Sequence, residues 1–63
     1  MNELQIQELL AQMEQARQRA TISQHKYRKM GDNQEADYWL GVAMGFNGAK
    51  QLLQEAAGIS AKS

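Results

Sequence analysis

The sequence predicts an all-α protein, a two-helix antiparallel hairpin that forms a four-helix bundle with a second copy of itself. Its 63 residues include no proline and nine glutamines, which favours helix throughout. A single short break, Met30-Gly31-Asp32-Asn33, interrupts the apolar periodicity. Two helices joined by so short a turn are antiparallel neighbours. A chain of this length also buries too little of its surface to be stable alone.

Small domains are usually stabilised by disulfides, a structural metal or oligomerisation. The chain has no cysteine and a single histidine, His25, so neither a disulfide nor a metal site is expected. We therefore predict one domain over residues 1–63 that is a homodimer and takes no cofactor.

Helix one is predicted over residues 3–30, with Asn2 as its N-cap and Gln5 completing a capping box. Its apolar residues alternate at steps of three and four, which indicates a heptad seam. The seam consists of Ile6, Leu9, Met13, Ala16, Ala20, Ser23, Tyr27 and Met30. Because its middle is small, we expect bulky side chains opposite, with Trp39 and Phe46 as the natural ones.

The turn is predicted at residues 31–32. Gly31 suits the left-handed residue that ends a helix. Asp32 followed by Glu35 predicts a capping box for the next helix.

Helix two is predicted over residues 33–57, followed by a frayed C-terminus over residues 58–63. Its apolar residues cover about half of the circumference, wider than the ~100° stripe of an ordinary surface helix. They are Tyr38, Trp39, Val42, Ala43, Phe46, Ala49, Leu52, Leu53, Ala56 and Ala57. One neighbouring helix does not cover so wide a face. We therefore expect helix two at the centre of the dimer and helix one outside.

Gly41, Gly45 and Gly48 lie on one stripe of helix two. Each glycine inside a helix costs ~1 kcal/mol relative to alanine, and small residues at this spacing let two helix backbones approach closely. We expect this stripe to meet the second copy. The alternative is a loosely wound or broken helix in this region.

Two sets of residues follow from these patterns. The predicted core and dimer contact consists of Ile6, Leu9, Met13, Tyr27, Trp39, Val42, Gly45, Phe46, Ala49 and Leu53. The predicted partner surface consists of Arg17, Arg19, Ile22, Lys26, Arg28, Lys29, Leu40 and Met44.

The cations of helix one allow two interpretations. Five of them and no anion lie between Arg17 and Lys29, and such a face can contact phosphates. However, helix dipoles also favour this layout, and antiparallel pairing brings the basic end beside the acidic start of helix two. The seven cations and seven anions of the chain balance, so nucleic acid is not the favoured partner.

No catalytic constellation is visible, and we predict that the protein is not an enzyme. Ser23 and His25 point about 200° apart on a helix, so they do not meet. The glycines at 41–48 lack the lysine and the preceding strand of a phosphate loop. The longest uncharged run, Tyr38 to Ala49, has twelve residues, whereas a membrane span needs about 20. With no leader segment recognised, we expect a soluble, intracellular protein without membrane or small-molecule ligand.

Several segments together resemble a family of small early proteins of lambdoid bacteriophages. The resemblance spans Asn2–Leu10, His25–Gly31, Ala36–Ala43 and Gly45–Lys50. These phage proteins have 63 residues, as this chain does, and are encoded in the exo-xis region, between the exonuclease and excisionase genes.

The resemblance implies an early protein that acts in the cytoplasm of the infected bacterial host. Proteins of that region are associated with lytic development and with disturbed host cell-cycle control, through protein contacts. It implies no active site and no particular functional residue. The expected partner is thus an unidentified host or phage protein.

Overall fold

The computed structural model describes residues 2–58. Helix α1 spans Glu3–Lys29 and helix α2 spans Asn33–Ala56. Contacts that join residue 28 to residue 37 and residue 14 to residue 50 show that the helices pack antiparallel. The predicted helical hairpin is confirmed, and each helix ends one residue before its predicted end. The predicted fraying falls on residues 59–63, outside the described residues, and on Gly58.

The first turn of α1 is closed by a reciprocal capping box. The backbone N–H of Gln5 donates to Asn2 Oδ1 at 2.8 Å, and the N–H of Asn2 donates to Gln5 Oε1 at 3.1 Å. These bonds satisfy two backbone donors that the helix itself leaves free. The sequence prediction for this N-terminus is therefore confirmed.

The other end of α1 terminates in a Schellman motif. Gly31 has a φ of 81°, the left-handed conformation that glycine adopts without steric cost. Its N–H donates to the Arg28 carbonyl at 3.1 Å, and the Asp32 N–H donates to the Tyr27 carbonyl at 2.9 Å. This pair of bonds satisfies two carbonyls at the end of α1 and turns the chain within a few residues.

The predicted capping box of α2 is only half present. The Asp32 side chain accepts a hydrogen bond from the Glu35 N–H at 3.1 Å, so Asp32 is the N-cap. The Glu35 side chain does not return a bond, because the Asp32 N–H already donates to Tyr27. The C-terminal cap of α1 therefore excludes the second half of the box.

The hairpin core is made of alanine. Within residues 2–58, only Ala20, Ala36 and Ala43 are buried, with exposed fractions of 1%, 0% and 7%. Small side chains on both helices let the two backbones approach closely. We expected bulky side chains opposite the small centre of α1, but Trp39 and Phe46 are only partly buried.

The other predicted core residues are also incompletely covered. Gly45 is exposed, and the remaining ones are partly exposed: Ile6, Leu9, Met13, Tyr27, Val42, Ala49 and Leu53. The described chain fits a box of 43 × 18 × 17 Å, a single layer of two helices. Such a layer has only the narrow alanine core between its two helices, whereas stable domains bury apolar faces between at least two layers.

Neither helix is long and apolar enough to cross a membrane, a finding that covers residues 2–58.

Candidate functional site

Helix α2 carries two apolar seams, and α1 covers only one of them. The inner seam, which includes Ala36 and Ala43, packs against α1. The outer seam runs along another side of α2 at alternating steps of four and three residues. It consists of Tyr38, Val42, Gly45, Ala49, Leu52 and Ala56. Tyr38 is 60% exposed and Leu52 is 68% exposed, so much of the outer seam lacks a neighbour in the hairpin, although Val42 and Ala49 are partly covered.

The glycine stripe adjoins the outer seam, with Gly41 and Gly45 exposed and Gly48 partly exposed. Helix α2 is continuous through Gly41, Gly45 and Gly48, which rules out the alternative of a helix broken in this region. A Cβ atom built on any of the three would meet nothing within 4 Å. The close packing predicted for these glycines is therefore not made with α1.

The aromatic pair Tyr38 and Trp39 lies at the start of both seams. The two rings pack edge to face, with centroids 5.2 Å apart and planes at 82°. The Trp39 Nε1–H is buried and has no acceptor within residues 2–58. A buried donor without an acceptor costs about 1–3 kcal/mol, so this indole is not in a fully satisfied environment in the isolated hairpin.

Glu14 is the centre of an ion-pair cluster between the helices. Its carboxylate accepts hydrogen bonds from Arg17 at 2.7 and 2.9 Å, from Lys50 at 2.9 Å and from Gln18 at 3.0 Å. The Arg17 hydrogen bonds, followed by those of Lys50 and Gln18, hold the pKa of Glu14 well below its usual range. Two cations of the chain are thus paired with one carboxylate, which leaves the cluster with a net charge of +1.

A second ion pair closes the turn end of the hairpin. Arg28 donates to Asp37 at 3.2 Å and to the Asn33 side-chain oxygen at 3.3 Å. The predicted meeting of the basic end of α1 with the acidic start of α2 is confirmed by this pair. Because both side chains are largely exposed, the pair contributes little stability.

The remaining cations share one exposed face of α1. Arg19, Lys26 and Lys29 are exposed and form no ion pair within residues 2–58. Lys26 Nζ does lie 5.8 Å from the centre of the Tyr27 ring. Together with Ile22, which is 68% exposed, these cations follow one another at steps of three, four and three residues. We call Arg19, Ile22, Lys26 and Lys29 the basic stripe.

A shallow groove of about 540 Å³ lies between the helices. The exposed apolar side chains Leu40 and Met44 line it, and Ile22 does not. Its other lining residues are Arg17, Thr21, Gln24, Ala43, Asn47, Gly48 and Gln51. The predicted partner surface is therefore divided: Leu40, Met44 and Arg17 face the groove, and Ile22 belongs to the basic stripe.

Two polar residues of α1, Thr21 and His25, differ in burial, since Thr21 is partly buried and His25 is exposed. The Thr21 hydroxyl donates to the Arg17 carbonyl at 3.0 Å, which is a local bond of the helix backbone. His25 itself is exposed on α1. Within the part of the chain that the structure describes, no three His, Cys, Asp or Glu side chains are grouped to hold a metal ion.

Comparison with known proteins identifies no relative. No protein-family model, no curated protein and no solved structure matches this chain. The surfaces of the hairpin and the resemblance stated above are thus the basis for a functional proposal.

Proposed function

We propose that this chain is a non-enzymatic early phage protein that promotes lytic development by binding host or phage proteins as a helical homodimer. The observation that carries the homodimer is the outer seam of α2, where Tyr38 and Leu52 are 60% and 68% exposed. Regularly spaced apolar residues of this kind are the contact surface of packed helices. Within residues 2–58, only three alanines are buried, which is a small core for a folded protein.

A second copy suits the outer seam better than another partner does. A chain whose own core is so small needs its folding partner whenever it is synthesised, and a second copy is always present. The stretch from Tyr38 to Ala49 also has no ionised side chain, so this part of the seam can pair with a second copy without desolvating a charge.

The order of residues along the seam suits an antiparallel pair with a two-fold axis near Gly45. Tyr38 lies seven residues before Gly45 and Leu52 lies seven residues after it. In this register Gly45 faces its own copy, where crossing helices approach most closely. The large Tyr38 and Leu52 side chains meet at the ends, where inclined helices diverge. The resulting bundle has α2 at its centre and α1 outside.

Cysteine cross-linking tests this register, because the natural chain has no cysteine. A mixture of the Tyr38→Cys and Leu52→Cys chains is expected to form a mixed disulfide on oxidation, since the two positions lie opposite each other in this register. Each variant alone should cross-link poorly. A parallel pair would give the opposite result, with each variant cross-linking to itself. Gln15→Cys, on the exposed side of α1, is the control for random collision.

The phage setting is supported by the sequence resemblance alone and has its own test. Expression of the chain in bacteria infected with a lambdoid phage is expected to lower the fraction of survivors that become lysogens. Leu52→Asp, which places a charge in the outer seam, should lose this effect. An unchanged lysogen fraction with the natural chain would contradict the setting and would leave the dimer untouched.

The alternative function is a small nucleic-acid-binding dimer that uses the basic face from Arg17 to Lys29. The observation in its favour is the exposure of Arg19, Lys26 and Lys29. Against it, Arg17 and Arg28 are already engaged by acids of the same chain. Duplex-DNA binding over a salt series decides, because a phosphate-driven complex weakens steeply as salt rises.

A further inference from the structure

The paired and the unpaired cations of residues 2–58 lie on different faces of the hairpin. Residues 2–58 contain six cations, and three of them, Arg17, Arg28 and Lys50, are paired with acids of the same chain. The other three are Arg19, Lys26 and Lys29, which all lie on the basic stripe. Arg17 and Arg19 differ by only two positions, yet they point about 200° apart on the helix. The net-neutral chain therefore presents one surface of uncompensated positive charge.

The basic stripe has an apolar centre. Ile22 lies one helical turn after Arg19 and one turn before Lys26, and 68% of its surface is exposed. At 1.5 Å per residue, the stripe from Arg19 to Lys29 is about 15 Å long. An apolar residue flanked by cations along one side of a helix has the pattern of a helix-pairing surface, in which charges flank the apolar contact.

We propose that the basic stripe binds an acidic amphipathic helix of a partner protein, with an apolar residue of that helix seated on Ile22. The proposal rests on the proposed function and specifies its partner. Carboxylates of the bound helix pair with Arg19, Lys26 and Lys29, and the planar guanidinium of Arg19 can hold one of them with two parallel hydrogen bonds.

The spacing of the stripe defines the sequence of the bound helix. In an antiparallel orientation it carries a carboxylate, a second carboxylate three residues later, an apolar residue four residues after that, and a third carboxylate three residues further on. These steps mirror those of Lys29, Lys26, Ile22 and Arg19 in reverse order. Residues three or four apart share one face of a helix, so the four side chains face the stripe together.

Ile22 favours a protein over a nucleic acid as the occupant. A phosphate backbone offers nothing apolar to cover the side chain of Ile22, whereas protein interfaces commonly combine an apolar centre with a charged rim. The stripe also remains available in the proposed dimer, because α1 lies outside the bundle. Each dimer would then bind two acidic helices on opposite sides.

The test uses a synthetic helical peptide with the pattern given above, built on alanine and glutamine, with leucine at the apolar position and a fluorescent label. We expect anisotropy to show binding at low salt that weakens as salt rises. Replacing its leucine with glutamine, or its glutamates with glutamines, is expected to remove the binding. A labelled duplex DNA is measured in parallel.

Variants of the chain assign the contact to the stripe. Ile22→Ala should weaken peptide binding by roughly tenfold, the value of about two buried methylene groups. Lys26→Gln should weaken it by about threefold, as an exposed ion pair does. Gln7→Glu is the matched control, because it changes the net charge by the same amount on another exposed part of α1, and it should bind as the natural chain does.

Three outcomes would overturn the proposal. They are a natural chain that does not bind the peptide, an Ile22→Ala chain that binds it undiminished, and tight DNA binding that is insensitive to Ile22. Circular dichroism and sedimentation on every variant establish that each is folded and dimeric. A dimer that fails to bind the peptide refutes the stripe proposal alone, whereas a folded monomer refutes the proposed homodimer.

Discussion

The two seams of α2 differ in how far the rest of the hairpin covers them. The inner seam buries Ala36 and Ala43 against α1, while the outer seam leaves Tyr38 and Leu52 largely exposed. Contacts within the chain are thus made by small side chains and by ion pairs at Glu14 and Asp37. Much of the large apolar surface of α2 stays free for another molecule. The inner seam therefore holds the two helices of the hairpin together, and the outer seam is an apolar surface that a further helix can cover.

The largest expected effect comes from Phe46, which borders both seams. Phe46→Ala should lower the free energy of unfolding by ~3–5 kcal/mol, because in the dimer it removes a ring that is covered from two sides. Met44→Ala is the control, since Met44 is 65% exposed two residues away, and it should cost well under 1 kcal/mol. Urea unfolding followed by the fluorescence of Trp39, the single tryptophan, measures both. Equal effects would contradict the prediction that a second copy covers the Phe46 ring.

Overfilling the inner seam is the next test. Ala36 is 0% exposed, so Ala36→Leu should destabilise the protein by about 1–3 kcal/mol through the forced separation of the helices. Ala11→Leu makes the same change at an exposed position of α1 and should be nearly neutral. Thermal unfolding by circular dichroism distinguishes them. A neutral Ala36→Leu would mean that the helices are not closely packed there.

The outer seam can be tested by whether Gly45→Ala raises or lowers the stability of the protein. In an isolated hairpin, Gly45→Ala should stabilise the protein by ~1 kcal/mol, because the added Cβ meets nothing within 4 Å. In a dimer that crosses at Gly45, the same Cβ separates the two helices, and we expect a loss of stability. Asn47→Ala, an exposed position on the same helix, should gain a few tenths of a kcal/mol either way. A gain for Gly45→Ala at micromolar concentration would contradict the crossing point.

The smallest expected effect is the change in the stability of the protein with pH that the ion pairs of Glu14 cause. The lowered pKa of Glu14, caused mainly by Arg17 and then Lys50, contributes stability that is present above the ordinary pKa of glutamate, about 4.3. That contribution is lost as the pH falls further toward the folded-state pKa. Thermal unfolding of Glu14→Gln should therefore differ from the natural chain at neutral pH and converge with it in acid. Glu8→Gln, at an exposed position without an ion pair in residues 2–58, is the matched control.

Local features of this fold could be predicted from the sequence because neighbouring residues determine them. The Asn2 cap and the left-handed Gly31 depend on a few adjacent positions, and both were predicted correctly. Heptad spacing likewise identified the helices. It could not give the distance between them, which is why Ala20 and Ala43 were placed on the apolar faces but not recognised as the core, and Ala36 was not assigned to an apolar face at all.

The contacts at the candidate sites depend on which residues of α1 and α2 lie opposite each other. This register could not be read from the sequence alone. The pairing of Glu14 with Lys50 follows only when the position of the turn is known. The five cations between Arg17 and Lys29 were treated as one basic face. In the folded hairpin, however, Arg17 and Arg28 form ion pairs with Glu14 and Asp37. The sequence could have distinguished Arg17 from Arg19, because residues two positions apart on a helix point about 200° apart.

Sedimentation equilibrium of the natural chain at micromolar concentration distinguishes a dimer from an isolated hairpin. We expect a folded species of about twice the 7.1 kDa chain mass. Dilution should dissociate and unfold it together, with loss of helical circular dichroism. A well-folded monomer of 7.1 kDa would show that the alanine core suffices and would contradict the outer seam as a dimer contact.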